Sequence, residues 1–221
     1  MSLIASIPFL RSKFKSPRQV YSTSWKDYSQ ILEGDINLFC WKRPVDIGIT
    51  SYLGQLLESE LPSIIFSAGI NELHQEIEKV RPEWDSGSKQ AADLFWKDVY
   101  SLVFDFLSLS ESNRGTVHLK VIDNNACSKF HTDGYSLRLF TTYYGKGTEW
   151  LPENATNRKG LGKSNDLIIK DSSQVQRMEA FEVGILKGEI PDVFQAAKGI
   201  VHRSPEIAST GEKRIILRVD V

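Results

Sequence analysis

The chain has 221 residues, of which 41% are hydrophobic and 25% charged, so it is long enough and apolar enough to bury a globular core. Its 27 basic and 28 acidic residues nearly cancel, and no apolar run approaches the roughly 20 residues that cross a bilayer. We therefore expect neither a nucleic acid nor a membrane partner. The two cysteines, Cys40 and Cys127, are too few for a disulfide framework, which favours reduced thiols and a cytoplasmic location, although a single bridge between them stays open.

The N-terminal region divides into an arm over residues 1–23 and a mainly helical portion over residues 24–113. The arm is basic and serine-rich with no acid before Asp27, a composition that also suits an organelle transit peptide. In the helical portion, the spacing of apolar residues predicts the elements. They are a short helix from Ser24 that ends near Gly34, a strand over 36–41, two helices within 50–80 with 64–66 open between strand and helix, and a long helix over 89–109.

Residues 114–221 have a different character, because short segments rich in β-branched and aromatic residues alternate with glycine, proline and asparagine clusters. This pattern predicts strands over 116–122, 136–144, 167–170, 181–186, 199–202 and 214–219, with a long loop over 145–165. Short strands at this spacing indicate a barrel or jelly roll. The predicted fold class is α+β: a C-terminal jelly-roll barrel of the double-stranded β-helix or cupin-like type, buttressed by N-terminal helices, with residues 24–221 in one compact domain.

Three side chains predict a metal site in this C-terminal portion. His131 and Asp133 are two residues apart, so on a strand both side chains leave the same face, and His202 supplies a third ligand from a later strand. Two imidazoles and one carboxylate on one side of a divalent metal leave the other positions open, as in non-haem Fe(II) oxygenases. The alternatives are a surface hydrogen-bonded pair for His131 and Asp133 and a core histidine for His202.

The last predicted strand carries two arginines on one face. Alternation places Arg214, Ile216 and Arg218 together, and a buried guanidinium requires an anionic partner. That partner is either a carboxylate of the protein or the carboxylate of a ligand such as 2-oxoglutarate, to which an arginine can bind in bidentate fashion. The protein carboxylates considered are Asp133, Glu149 and Glu182.

Further candidates lie close to the metal ligands in the sequence. Cys127 precedes His131 by four residues and completes a Cys/His/Asp/His set that would form a closed zinc site if all four bound. Tyr143, Glu149 and Trp150 are candidates for substrate contact, because they border or belong to the long loop expected at the mouth of the barrel.

Five motifs are spread over most of the chain: Asn37-Leu-Phe-Cys-Trp-Lys-Arg-Pro, Phe130-His-Thr-Asp, Gly147-Thr-Glu-Trp-Leu-Pro, Gly199-Ile-Val-His-Arg-Ser-Pro and Arg214-Ile-Ile-Leu-Arg-Val-Asp. In combination they resemble a bacterial family called domain of unknown function 1826, and the likeness runs from about Ile31 onward. Members of that family are associated with bacterial zinc homeostasis. The resemblance therefore implies a metal-related context and no particular reaction.

The order of His131, Asp133, His202 and Arg214 also resembles, more loosely, the Fe(II)/2-oxoglutarate-dependent dioxygenases of the double-stranded β-helix superfamily. That resemblance implies Fe(II) on the first three residues, 2-oxoglutarate on Arg214 beside Arg218, and hydroxylation of a small-molecule or protein substrate. Two other functions remain open. One is a non-catalytic protein of zinc homeostasis that binds Zn(II) on the same residues, and the other is a metal-free barrel that acts through protein contacts.

Overall fold

The computed structural model describes residues 16–85, 87–110, 112–190 and 198–221. Most of the predicted N-terminal arm, and with it most of the transit-peptide interpretation, lies outside these residues. The described strands are β1 Arg18–Ser22, β2 Ile36–Trp41, β3 Ile64–Ala68, β4 Gly115–Ile122, β5 Leu137–Tyr144, β6 Glu149–Leu151, β7 Gln176–Arg177, β8 Val183–Lys187, β9 Val201–Arg203 and β10 Arg214–Asp220. The described α-helices are α1 Ile47–Leu56, α2 Leu73–Val80, α3 Lys89–Ser110 and α4 Asn165–Ile168. None of them has the length and apolarity needed to span a bilayer.

The strands form two sheets. Seven strands make the large sheet in the order β1-β2-β8-β5-β10-β4-β3, and three make the small sheet in the order β7-β6-β9. β1 runs parallel to β2, and the other paired strands are antiparallel. Because β2 pairs with β8 and β3 pairs with β4, strands from the first third of the chain extend the C-terminal strands at both edges of the large sheet.

Strand β10 shows how alternation along the sequence divides the large sheet into two faces. Ile215, Leu217 and Val219 are fully buried in the main hydrophobic core, which they share with Phe95 and Phe106 of α3. The intervening residues of β10 leave the opposite face. One face of the large sheet thus packs against the helices, and the other face can line a cavity.

The predicted mixture of helices and strands is confirmed, and several bounds agree closely. The strand predicted over 36–41 is β2, the helix predicted over 89–109 is α3, and the strand predicted over 214–219 is β10. Residues 64–66, which fit either a strand or a helix, lie in β3. Long periodic segments were therefore the easiest to predict.

Other local predictions are corrected. The strand predicted over 167–170 is wrong, because its first residues end the short helix α4 and only Ile169 forms an isolated bridge, to Thr156. The helix predicted from Ser24 is a 3-10 helix over Trp25–Leu32, and the Ser24 side chain does not cap it. The stretch over 145–165 contains strand β6, and β1 and β7 were not predicted.

Candidate metal centre

The three predicted metal ligands lie together. One ligand atom each from His131, Asp133 and His202 can be chosen so that all lie within 4.8 Å of one another. His131 Nε2 is 3.7 Å from Asp133 Oδ1, and His202 Nε2 is 3.4 Å from Asp133 Oδ2. Among the residues that the structure describes, no other group of three or more His, Cys, Asp or Glu side chains converges in this way.

The backbone holds the two histidines opposite each other. His131 lies in the segment before β5, and His202 is the central residue of β9, which pairs with β6. The two form an isolated antiparallel bridge, in which His131 N donates to His202 O at 3.0 Å and His202 N donates to His131 O at 2.9 Å. The spacing of the imidazoles therefore rests on paired backbone, and their ring centroids are 4.6 Å apart.

Hydrogen bonds also set which ring nitrogen of each histidine faces the centre. His131 Nδ1 is 2.8 Å from the Lys129 carbonyl oxygen, and His202 Nδ1 is 3.2 Å from the Ile200 carbonyl oxygen. Since a carbonyl oxygen can only accept, the neutral tautomer that fits these contacts has its hydrogen on Nδ1 and its lone pair on Nε2 in each ring. Burial lowers the pKa of His202 to about 4, against the attraction of Asp133, so this ring is neutral near pH 7.

The carboxylate of Asp133 has one satisfied oxygen and one unsatisfied oxygen. Asp133 Oδ1 accepts a hydrogen bond from Arg138 Nη1 at 2.6 Å. Asp133 Oδ2 is buried and has no hydrogen-bond partner among the described residues. Burying a carboxylate oxygen without a hydrogen-bond donor costs free energy. The Nε2 atoms of His131 and His202 lie beside this carboxylate. A divalent cation fits this donor set of two nitrogens and one oxygen.

Arg138 connects Asp133 to the end of β10 and was not predicted as a site residue. Its Nε donates to Asp220 Oδ1 at 2.5 Å, and both Arg138 and Asp220 are buried. Burial raises the pKa of Asp220, but the nearby His118 and the hydrogen bond from Arg138 outweigh burial, so the pKa lies below its usual value of 3.8. The signal in the sequence is an arginine between two leucines, the one charged residue on β5.

Arg214, the residue predicted to bind an anion, is buried on β10. The residue is 1% exposed, its Nε donates to the Lys146 carbonyl oxygen at 2.5 Å, and its Nη2 donates to Thr142 Oγ1 at 3.3 Å. Its Nη1 is buried and has no hydrogen-bond partner in the described part of the chain. Burial lowers the pKa of Arg214 to about 10, and the charge of Glu149 opposes this shift. A buried donor that lacks a partner suits an anionic ligand.

Both sites open into one cavity of about 240 Å³. His131, His202 and Arg214 all line it, and the charged residues of its wall are basic. The large sheet supplies one side of the cavity, where Arg214, Ile216 and Arg218 of β10 face inward as the alternation predicted. The cationic lining residues are Lys120, Arg138, Arg203, Arg214 and Arg218, and no described acidic residue lines the cavity.

Arg218 and Cys127 also line this cavity. Arg218 Nε is 3.1 Å from Asp220 Oδ2, and Arg218 Nη2 donates toward His118 Nε2 at 3.0 Å. Asp220 is therefore the protein carboxylate beside Arg218, and it was not among those considered from the sequence. Cys127 is exposed at the cavity and is not part of the converging group of metal ligands.

The three substrate-contact candidates do not line the cavity. Tyr143 is fully buried in the main core, on the face of β5 that meets α3, and its hydroxyl donates to Asp98 Oδ2 at 2.6 Å. Glu149 is buried, with ion pairs to Arg177 and Arg203. Trp150 packs in a smaller apolar cluster. Strand alternation explains the placement of Tyr143, which lies on the core face of β5. Glu149 and Trp150 are adjacent and leave opposite faces of β6, where ion pairs hold the first and apolar packing holds the second.

Glu182, the remaining carboxylate considered as a partner for the β10 arginines, lies elsewhere. The Cys40 thiol donates to Glu182 Oε2 at a sulfur–oxygen distance of 3.7 Å, and the Glu179 backbone N donates to the same oxygen at 2.9 Å. Neither Glu182 nor Glu149 forms an ion pair with Arg214 among the described contacts. The guanidinium of Arg214 thus has hydrogen bonds to Lys146 and Thr142 but no ion pair with a carboxylate among the described residues.

Two solved structures share the fold of this chain. One is the dioxygenase for auxin oxidation 1 from Arabidopsis thaliana in a binary complex with 2-oxoglutarate, which aligns with a TM-score of 0.52 over 93% of this chain and 92% of that chain. The other is the dioxygenase for auxin oxidation in rice, with a TM-score of 0.53 over 93% of this chain and 82% of that chain. Sequence identity is 9% in both cases, so the likeness concerns the fold alone.

The sequence comparisons point to one family. No curated protein matches the chain. The family model described as "Protein of unknown function (DUF1826)" matches residues 22–220, nearly the whole length of the chain. The chain belongs to this DUF1826 family.

Proposed function

We propose that this protein is an Fe(II)- and 2-oxoglutarate-dependent oxygenase that hydroxylates a substrate in the cavity between the two sheets. The observation that carries the proposal is that His131, His202 and Arg214 line one cavity, with an unsatisfied Asp133 oxygen at one site and an unsatisfied Arg214 donor at the other. A metal ligand set beside an anion site is the combination that a metal-chelating dicarboxylate requires.

The chain's own residues have separate roles in this proposal. His131 Nε2, His202 Nε2 and Asp133 Oδ2 would hold the metal, and Arg214 Nη1 would pair with the distal carboxylate of 2-oxoglutarate. Arg138 holds Asp133 Oδ1, which leaves Oδ2 for the metal. Fe(II), when bound with 2-oxoglutarate and O₂, would supply the redox chemistry in which one oxygen atom of O₂ enters the carboxylate formed as the keto acid loses CO₂ and the other oxygen atom is inserted into a C–H bond of the substrate.

The two-sheet arrangement supports the finer fold assignment that the sequence predicted. We assign β5, β8, β10 and β4 to the large sheet of a double-stranded β-helix and β6, β7 and β9, with the bridged His131 segment, to its small sheet. The metal ligands then come from the small-sheet side and the anion-binding arginine from the large sheet. Residues 24–113 would buttress this barrel and also extend its large sheet.

Zinc binding without catalysis is the second candidate, and the position of Cys127 at the same cavity favours it. A closed structural zinc site needs four protein ligands, whereas three side chains converge in the described part of the chain. The open position and the unsatisfied Arg214 donor therefore favour the oxygenase. A cytoplasmic location remains a prediction from the cysteine content.

The test is an anaerobic titration of metal-free protein with Fe(II) and then 2-oxoglutarate, followed by visible absorption. We expect a weak charge-transfer band from the chelated keto acid in the wild type. Arg214→Met should weaken 2-oxoglutarate binding by at least about tenfold, since the charge-assisted contact of Nη1 is lost. The matched control Arg114→Met removes an exposed arginine that does not line the cavity and should leave the band unchanged. Fe(II) binding without any band would instead favour zinc handling, and failure to bind any metal would favour a metal-free role in protein contacts.

A further inference from the structure

The cavity contains a second cation that the proposed reaction leaves unused. Lys120 of β4 lines the cavity and is half-buried, and it makes no hydrogen bond or ion pair with any residue that the structure describes. Arg138, Arg203 and Arg218 each contact a protein carboxylate. Lys120 and Arg214 are thus the two cavity cations whose charge no described acid neutralises by direct contact.

The strand register places these two cations on the same face of the large sheet. In the pairing of β10 with β4, Arg214 is opposite Ile122 and Ile216 is opposite Lys120. Lys120 therefore lies one strand over and two positions along from Arg214, with Ile122 and Ile216 as the other corners of the square. The two positive charges face the same cavity and are separated by apolar side chains.

One molecule of 2-oxoglutarate does not use both cations in the proposed reaction. Its distal carboxylate pairs with Arg214, and its keto acid end belongs at the metal ligands. The positive charge of Lys120 then remains without an anionic partner, because no described residue that lines the cavity is acidic. This charge raises the local concentration of anions in the cavity. An additional anionic group would be favoured beside Lys120.

We propose that the substrate is a small organic anion whose carboxylate or phosphate pairs with Lys120 and whose carbon skeleton packs on Ile122, Phe140 and Ile216. This inference rests on the proposed oxygenase function and names its substrate class. The cavity volume of about 240 Å³ lies below the roughly 300 to 1,000 Å³ of pockets for drug-sized ligands. A small acid, or the anionic end of a longer one, fits such a volume beside 2-oxoglutarate.

Butyrate and inorganic phosphate are suitable probes, and butyramide is the uncharged counterpart of butyrate. Each is titrated at constant ionic strength into protein loaded with Zn(II) and 2-oxoglutarate, with binding followed by ¹H–¹⁵N NMR. Zn(II) is redox-inert, so no turnover interferes. We expect one of the two anions to bind at least about tenfold more tightly than butyramide, and the better anion identifies the group as carboxylate or phosphate.

The variants assign that binding to Lys120. Lys120→Met should lower the affinity for the anion at least about tenfold. Lys120→Arg keeps the charge, so its affinity for the anion should stay within about threefold of the wild-type value. Lys163→Met removes an exposed lysine outside the cavity and should behave like the wild type. Equal anion binding by wild type and Lys120→Met, or equal binding of butyrate and butyramide, would overturn the proposal.

Two further results separate this proposal from the proposed function. If Lys120→Met lowers the affinity for 2-oxoglutarate and leaves the affinity for the probe anion unchanged, Lys120 belongs to the co-substrate site. The proposal is then wrong, while the oxygenase assignment stands. If the wild type does not bind 2-oxoglutarate, the oxygenase assignment fails. The anion titration is then repeated on metal-free protein. Anion binding that depends on Lys120 would support the proposed anion site, and the absence of such binding would overturn it.

Discussion

Arg138 Nη1 donates a 2.6 Å hydrogen bond to Asp133 Oδ1, while the other oxygen of the same carboxylate is left without a partner among the described residues. The arginine is itself fixed by Asp220. We expect Arg138→Met to weaken Zn(II) or Co(II) binding by about 10- to 100-fold, because Asp133 loses the contact that orients it. Competition with a chromophoric chelator measures the affinity, with Arg114→Met as control.

A structural role alone would give a different result for Arg138. Loss of the guanidinium also removes the hydrogen-bond donor shared by the buried carboxylates of Asp133 and Asp220, so the free energy of unfolding should fall by about 3 kcal/mol. Metal affinity is therefore compared at urea concentrations where every variant is folded. If the metal affinity of folded Arg138→Met equals that of the wild type, Arg138 does not position Asp133.

Metal binding should stabilise the folded protein through His131. With free Zn(II) at 100 times its dissociation constant, the wild type should gain about 2.7 kcal/mol in the free energy of unfolding. His131→Ala should lose more than about 100-fold in affinity, and most of this gain with it. His74→Ala removes an exposed histidine on α2 and should respond to Zn(II) as the wild type does. Thermal unfolding with Zn(II) and with excess EDTA distinguishes the variants, and equal stabilisation of both would argue against a metal centre at His131.

Glu149 should contribute to stability in a pH-dependent way. Burial raises its pKa, but hydrogen bonds from Arg177 and Arg203 outweigh burial, so the folded-state pKa lies below the usual 4.5. A group with a lowered pKa stabilises the fold above its unfolded-state pKa, and this contribution disappears as the pH falls through the folded-state pKa. Glu149→Gln should therefore cost about 3 kcal/mol at pH 7 and progressively less below pH 4.5. Urea unfolding across this pH range provides the measurement, and a difference independent of pH would contradict the ion-pair role.

Tyr143 should affect stability and leave the cavity unchanged. Its hydroxyl donates to Asp98 Oδ2, and Asp98 also accepts hydrogen bonds from Arg43 at 2.6 and 2.9 Å. Tyr143→Phe should cost about 1 to 3 kcal/mol in the free energy of unfolding, because the half-buried carboxylate of Asp98 loses one donor. The Fe(II) and 2-oxoglutarate absorption band should be the same as in the wild type. A weaker band in a fully folded variant would restore Tyr143 as a site residue.

The features that were predicted correctly, such as the pairing of His131 with Asp133 and the two faces of β10, depend on the spacing of residues within a few positions of one another. His131 and Asp133 are close in the chain, and the alternation on β10 separates core residues from cavity residues over seven positions. The same alternation along β5 puts Tyr143 with Leu139 on the core face and Phe140 on the cavity face. Alternation therefore predicts a core position for Tyr143, whereas its nearness to the loop after β5 suggests a position at the cavity.

The features that were missed depend on contacts between distant segments. Arg138 can be recognised as a positioning residue only once β5 and β10 are paired, because Asp220 lies opposite it at the far end of the chain. Strands β6 and β7 have three and two residues, too few for a period-two pattern to emerge. At Ile168 and Ile169, a short apolar run fits a helix as well as a strand, and the structure places a helix end there.

The backbone bridge between His131 and His202 also has a consequence for the order of folding. The two imidazoles become neighbours only after β9 has paired with the segment before β5. Such long-range pairing is slow, because the chain loses the entropy of loop closure before the stabilising contacts form. A metal ion therefore meets its complete ligand set in a chain that has already passed its folding barrier. Metal binding should accordingly slow unfolding and leave the rate of folding nearly unchanged.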